Sequence, residues 1–296
     1  ALKLPKWSAK PTTNFTISQA INLAVYETST HMQDSDLPSI LTELKKSGSN
    51  TATFGEEWSQ GRSAFGGISS AFASTAMGKL VDSKSPIRSL MVSFVAPLPP
   101  GEFSVDSVLQ RKGKNVAQCA ASVISNQQLC LQAMAAFGNS REGFSVEPLV
   151  EFNPIPREQG VQFSDHAKRL PSFLRFFEGS WVGGGMPFAG KFQPQLNMWV
   201  KHKADMSNFP VEKIITLADI PPPVILTHFS KPPVPSSSLS WSLEFVIPPQ
   251  QIESEWFYLE FNTEAAGNGY TQQSGKIFDE TGQLCALSRQ CMVYFG

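Results

Sequence analysis

The chain repeats itself. Phe94-Val95-Ala96-Pro97 returns 151 residues later as Phe245-Val246-Ile247-Pro248, in a sequence of 296 residues. Gln128-Leu129-Cys130 returns as Gln283-Leu284-Cys285 at an offset of 155, and both copies run on to an aromatic-Gly pair, Phe137-Gly138 and Phe295-Gly296. Two offsets so close to half the chain length mark a duplicated unit. Whatever this sequence folds into must therefore be built twice, and each half is long enough to bury a core of its own.

Each unit reads as one helix followed by several strands. In the first, Ile68, Ala71, Phe72, Thr75, Ala76 and Leu80 fall at helical spacing after Gly66-Gly67, and the remaining positions are mostly small, so this helix can be closely surrounded. Strand-like runs follow at 87–96, 102–111, 115–125 and 128–137, broken by Lys112-Gly113-Lys114-Asn115 and Ser125-Asn126-Gln127. In the second unit Val211, Ile214, Ile215 and Ala218 form an apolar stripe behind a Ser207-Asn208 cap candidate and Pro210, and Pro221-Pro222-Pro223 ends the helix. Strands are expected at 238–247, 255–266, 270–279 and 283–295, with 173–184 and 192–202 opening the second sheet. Sequential strands with short turns mean antiparallel pairing. The expected organisation is a first unit over 35–138, a Pro-rich surface connector over 139–172, and a second unit over 173–296.

Composition narrows the function classes. With 24 Lys+Arg against 25 Asp+Glu the net charge is −1, which offers no broad footprint for a nucleic acid. Cys119, Cys130, Cys285 and Cys291 lack metal-ligand spacing and read as reduced core thiols. No run of eighteen apolar residues predicts a membrane span, and the first residues lack the apolar core of a secretory signal, so a cytoplasmic location is expected. Residues 1–34 stand apart: His31-Met32 fits a cloning junction, and a natural extension with a helix near 17–27 is the other reading.

An α+β architecture in which a long antiparallel sheet wraps a central helix, twice over, has a specific resemblance. The segments Phe65-Gly66-Gly67, Ser89-Leu90-Met91-Val92-Ser93-Phe94-Val95-Ala96-Pro97, Leu217-Ala218-Asp219-Ile220-Pro221-Pro222 and Gly282-Gln283-Leu284-Cys285-Ala286-Leu287-Ser288-Arg289-Gln290 resemble, in order and spacing, the acyl-CoA thioesterase II family of double-hotdog proteins. The resemblance runs from about residue 32 to the end. It implies a thioester hydrolase that cleaves a fatty or related acyl-CoA with water, needs no metal or other cofactor, and forms a homodimer or homotetramer.

Thioester hydrolysis needs a positioned water, a group that takes its proton, and donors for the developing oxyanion. It needs no strong general acid, because a thiol of pKa about 8–9 leaves readily. The family's Asp, hydroxyl and Gln, carried over residue by residue, fall on Asp219, Ser238 and Gln290. Asp219 is assigned as base or water orienter, with Ser238 and Gln290 holding the water and polarising the carbonyl. The family often has Thr followed two residues later by Asp, whereas here Ser240 follows Ser238. Ser240 is therefore the fallback hydroxyl, with the same side-chain direction because residues i and i+2 share a strand face. That alternation sets Ser238 on the face opposite Leu239, Trp241 and Leu243.

Gly66-Gly67 opens a helix, so its N–H groups could meet the thioester oxygen, or the glycines could serve close packing. Arg111, Lys112 and Lys114 form a hairpin tip that could meet CoA phosphates or be merely solvated. Other chemistries lack their motifs: there is no GxSxG elbow and no phosphate loop. A hotdog hydratase would carry Asn-Pro-Ile-His, and here Asn153-Pro154-Ile155 is followed by Pro156. A catalytically weak acyl-CoA-binding protein on the same fold is the main rival reading.

Overall fold

Thirteen residues with few bulky side chains make the helix α2 (Gly66–Gly78), and every residue from Gly67 to Met77 is buried. Small side chains let strands approach from all sides, and the polar ones satisfy themselves within the helix: the Ser69 and Ser70 hydroxyls donate to Gly66 O at 2.9 and 2.8 Å. The computed structural model describes residues 35–167 and 170–296, and Ser35–Gly296 form one compact unit. The expectations for residues 1–34, including the helix near 17–27, lie outside the described residues.

The first half contains α1 (Leu37–Lys45), β1 (Thr51–Phe54), the small hairpin β2 (Ser59–Gln60) and β3 (Ser63–Ala64), then α2, β4 (Ile87–Phe94), β5 (Gly101–Lys112), β6 (Val116–Ser125) and β7 (Gln128–Gly138). The second contains β8 (Val161–Gln162), β9 (Phe177–Gly184), β10 (Gln195–His202), α3 (Pro210–Ala218), β11 (Ser236–Phe245), β12 (Phe257–Gly267), β13 (Tyr270–Asp279) and β14 (Leu284–Tyr294). Turn chemistry fixes the hairpins. Asn126-Gln127, at φ 50° and 63°, and Asn268-Gly269, at 52° and 81°, are two-residue turns whose left-handed backbone matches strand twist.

Pairing is antiparallel throughout, and the duplication is visible in the strand order β1-β5-β6-β7-β4-β11-β14-β13-β12-β10-β9-β8. Reading outward from the centre, β4-β7-β6-β5 on one side mirrors β11-β14-β13-β12 on the other. This is the expected double hotdog. The two sheets join edge to edge through β4 and β11, with Trp241 opposite Val92, so they form one continuous twelve-stranded surface around α2 and α3.

Aromatic packing anchors α2. Phe72 is fully buried, stacks on Phe103 at 4.2 Å between ring centroids and meets Phe54 at 6.0 Å. Phe72→Ala should therefore cost about 3–5 kcal/mol of unfolding free energy. A urea titration checks this by a lowered midpoint at unchanged slope.

Two local expectations are corrected. The cap of α3 is Phe209, which makes no side-chain cap bond, and the Asp205 carboxylate, not the helix, engages Ser207. The connector also does more than run over the surface. Phe152 packs edge-on against Trp199 and Tyr258, and the Trp199 indole donates to Ile155 O at 2.9 Å, so this stretch covers the outer face of the second sheet. No helix among the described residues is long and apolar enough to cross a membrane.

Candidate active site

The C-terminal end of α3 meets the N-terminal end of α2. Asp219 is the C-cap of α3, held by its own N–H to Leu217 O, and the three prolines that follow stop the helix there. Its carboxylate lies against the first turn of α2, where the Gly67 N–H faces it and favours its ionised form. An ideal Cβ on Gly66 would stand 2.7 Å from Asp219 Oδ2 and 3.1 Å from Phe94 Cε1, and one on Gly67 would stand 3.1 Å from Thr216 Cα. Both glycines are thus needed for close approach. The Gly67 amide faces the Asp219 carboxylate and favours its ionised form, and no acceptor is found for Gly66 N–H among the described residues.

A second donor reaches the carboxylate from the sheet. Gln290, buried on the inner face of β14, donates from Nε2 to Asp219 Oδ1 at 2.6 Å. Gln290 Oε1 in turn accepts from Gln273 Nε2 of β13 at 2.9 Å, and Gln273 Oε1 accepts the Val224 backbone N–H at 3.1 Å. The loop 219–224 is therefore tied to the sheet at both ends. Burial drives the Asp219 pKa up from 3.8 to about 7, against the opposing pull of Gln290 and the Gly67 N–H. A carboxyl poised near neutrality and held by two donors is fit to exchange a proton with a bound water.

The position of Ser238 is decided by a β-bulge. In the ladder between β11 and β14, Trp241 faces Gln290, Ser240 faces Cys291, and after a register shift at Leu239 Ser238 faces Met292. Directly opposed residues share a face, so Ser238 lies on the buried side with Gln290 and Met292, whereas Ser240 lies with Cys291 on the outer side. The extra residue overturns two expectations. Ser238 and Ser240 do not share a face, which removes Ser240 as the fallback hydroxyl, and Ser238 lies with Trp241, not opposite it.

The hairpin bases stand away from Asp219. The tip between β5 and β6 lies beside the start of β4, where Gly138 N–H bonds Pro86 O and Asn139 N–H bonds Asn115 O. Asp219 neighbours Phe94 at the other end of that strand. Eight residues of strand separate the two by roughly 20–25 Å, so Arg111, Lys112 and Lys114 do not adjoin Asp219. Asn153-Pro154-Ile155 belongs to the connector on the outer face.

The duplicated frame carries one copy of this arrangement. By ladder position Gln290 corresponds to Ala135 and its partner Gln273 to Cys119, and by helix start Phe65-Gly66 corresponds to Phe209-Pro210; the C-cap of α2 is Lys79. Proline has no N–H to offer and alanine no amide. Elsewhere the buried titratable groups serve packing: Thr75 Oγ1 of α2 donates to Glu212 Oε1 of α3 at 2.9 Å, and burial pushes the His202 pKa down to about 3, leaving it neutral beside Thr216. No three His, Cys, Asp or Glu side chains come together as a metal site would require among the described residues.

Sequence reasoning missed Gln273 and Val224. The available signal was a glutamine at an inward position of a strand whose same-face neighbours include Thr271, Gly275 and Ile277.

Comparison with known proteins agrees with this architecture. Solved structures with the same fold include a hotdog protein of unknown function from Alicyclobacillus acidocaldarius, with TM-score 0.76 and 18% identity over 86% of this chain and 98% of that one. They also include the acyl-CoA thioesterase II TesB2 of Mycobacterium marinum, with TM-score 0.65 and 15% identity over 86% and 98%. The tesB protein of Mycobacterium avium subsp. paratuberculosis gives TM-score 0.67 and 17% identity over 88% and 100%. No curated protein matches the sequence. Family profiles described as the acyl-CoA thioesterase N-terminal and C-terminal domains match residues 54–138 and 151–294, in that order. With both halves matched in order around a single Asp219–Gln290 pair, the chain belongs to the acyl-CoA thioesterase family.

Proposed function

We propose that this protein hydrolyses a fatty or related acyl-CoA to the free acid and CoA, with water as nucleophile and no cofactor. The observation that carries the reading is the Asp219 carboxyl, raised to about 7 by burial and held between Gln290 and the Gly67 N–H. Ionised Asp219 takes a proton from water as its oxygen attacks the thioester carbonyl. The second Gln290 N–H and the Ser238 hydroxyl orient that water, and Gly66 N–H, at the positive end of α2, receives the developing oxyanion. Collapse of the tetrahedral adduct breaks the C–S bond. The CoA thiolate leaves with the proton that Asp219 had taken, which restores the ionised carboxylate, and the new acid releases its own proton to solvent. On this reading the chain works in the cytoplasm, in lipid metabolism, as a homodimer or homotetramer.

The test is release of CoA thiol from a panel of acyl-CoA chain lengths, followed from pH 5 to 9. Since the ionised form is the active one, kcat/KM should rise with pH through about 7 and then level. Acyl-CoA binding with no thiol release at any chain length would establish the binding-protein reading instead. Turnover of an enoyl-CoA without thiol release would establish a hydratase.

A further inference from the structure

Glutamine amides are ambiguous objects: oxygen and NH2 are nearly the same size, and which one faces a neighbour decides whether it donates or accepts. Here the ambiguity is removed by the backbone. The Val224 N–H can only donate, so the Gln273 atom it meets at 3.1 Å must be Oε1. The other end of Gln273 is then the NH2 group, so the Gln290 atom it meets at 2.9 Å must be Oε1. That leaves the Gln290 NH2 for Asp219 Oδ1 at 2.6 Å. One main-chain amide thus sets the polarity of two side chains in series.

We propose that Gln273 is a positioning residue of this site: it fixes the Gln290 amide so that its NH2, and never its oxygen, faces Asp219. The inference deepens the hydrolase reading and rests on it for its catalytic consequence. Gln273 is fully buried and Gln290 nearly so, so water does not compete for either amide. With an apolar residue at 273, Gln290 Oε1 loses its donor, and the amide is free to turn. Turned, it would set an oxygen against the carboxylate, which removes a donor from the ionised form and adds a repulsion.

The experiment compares wild type, Gln273→Met, Gln273→Glu and, as a control, Thr271→Val. Thr271 is equally buried, lies two residues away on the same strand face, and bonds only the Ala265 carbonyl. Two quantities are read on folded protein: the pKa of the Asp219 carboxyl by NMR titration of 13C-labelled protein, and kcat and KM for the best acyl-CoA. Gln273→Met should raise that pKa by about one unit and lower kcat about 10- to 100-fold near neutral pH with KM within about twofold. Ionised Gln273→Glu has acceptors only and should raise the pKa at least as far. Thr271→Val should move neither. An Asp219 pKa unchanged in both Gln273 variants, or moved equally by Thr271→Val, would overturn the proposal. Because the titration needs no turnover, the absence of wild-type hydrolysis would overturn the hydrolase reading alone.

Discussion

Asp219→Asn should lose CoA release by about 10²–10⁴-fold and yet be the more stable protein at pH 8. Asparagine keeps the shape of the side chain and one oxygen, which can still accept from Gln290 Nε2. It cannot take a proton from water. The stability sign follows from linkage. The folded carboxyl has its pKa near 7 against an ordinary 3.8, so between those values the native state holds a proton that the unfolded chain has released. Native stability therefore falls as pH rises from about 4 to about 7 and is level above that. Removing the charge removes the penalty, on the order of 2–4 kcal/mol at pH 8, with no gain below about pH 4. Thermal melts of both proteins at pH 4 and pH 8 check it. A variant equally destabilised at both would mean that Asp219 supports the fold and carries no unfavourable charge.

The duplication was legible because it rests on local patterns: two turn-punctuated runs of strands, and helices whose stripes begin at Gly66-Gly67 and Pro210. The union of the two sheets through β4 and β11 was not, because the outward Ser and Glu of 238–247 read equally well as a solvent face or as the centre of a longer sheet. Helix α1 was not legible even though Asp36 caps it by accepting the Ser39 N–H, since nine residues give an apolar stripe only about two turns to declare itself. At the site, Asp219 and Gln290 were reachable only through the resemblance. Alone, each is a helix-end acid and a strand glutamine, residue types common at the surface. The face of Ser238 was misread because periodicity assumes a regular pleat, and one extra residue, Leu239, shifts the parity of everything before it. The hairpin bases are a separate case. Charge at a turn is legible, but its distance from Asp219 is set by the length of β4, which no short motif contains.

Gly66→Ala should cost at least about 100-fold in kcat/KM while leaving the melting temperature nearly unchanged. Two effects compete at this position. Alanine is the better helix former by up to about 1 kcal/mol, less at a first-turn position, so propensity alone favours the variant. The added methyl, however, would meet Asp219 Oδ2 at 2.7 Å and Phe94 at 3.1 Å. The atom at 2.7 Å is the end of a side chain, so the fold can relax where the chemistry cannot: Asp219 swings away, and its 2.6 Å bond from Gln290 is the contact that gives. A displacement of about 1 Å is enough for the expected loss. Kinetics and calorimetry on the same preparation separate the two. Full activity with a raised melting point would mean that the carboxylate tolerates displacement and that the close approach of α2 serves packing only. Lost activity with an intact melting point would tie the small residue at the head of α2 to the carboxylate it admits.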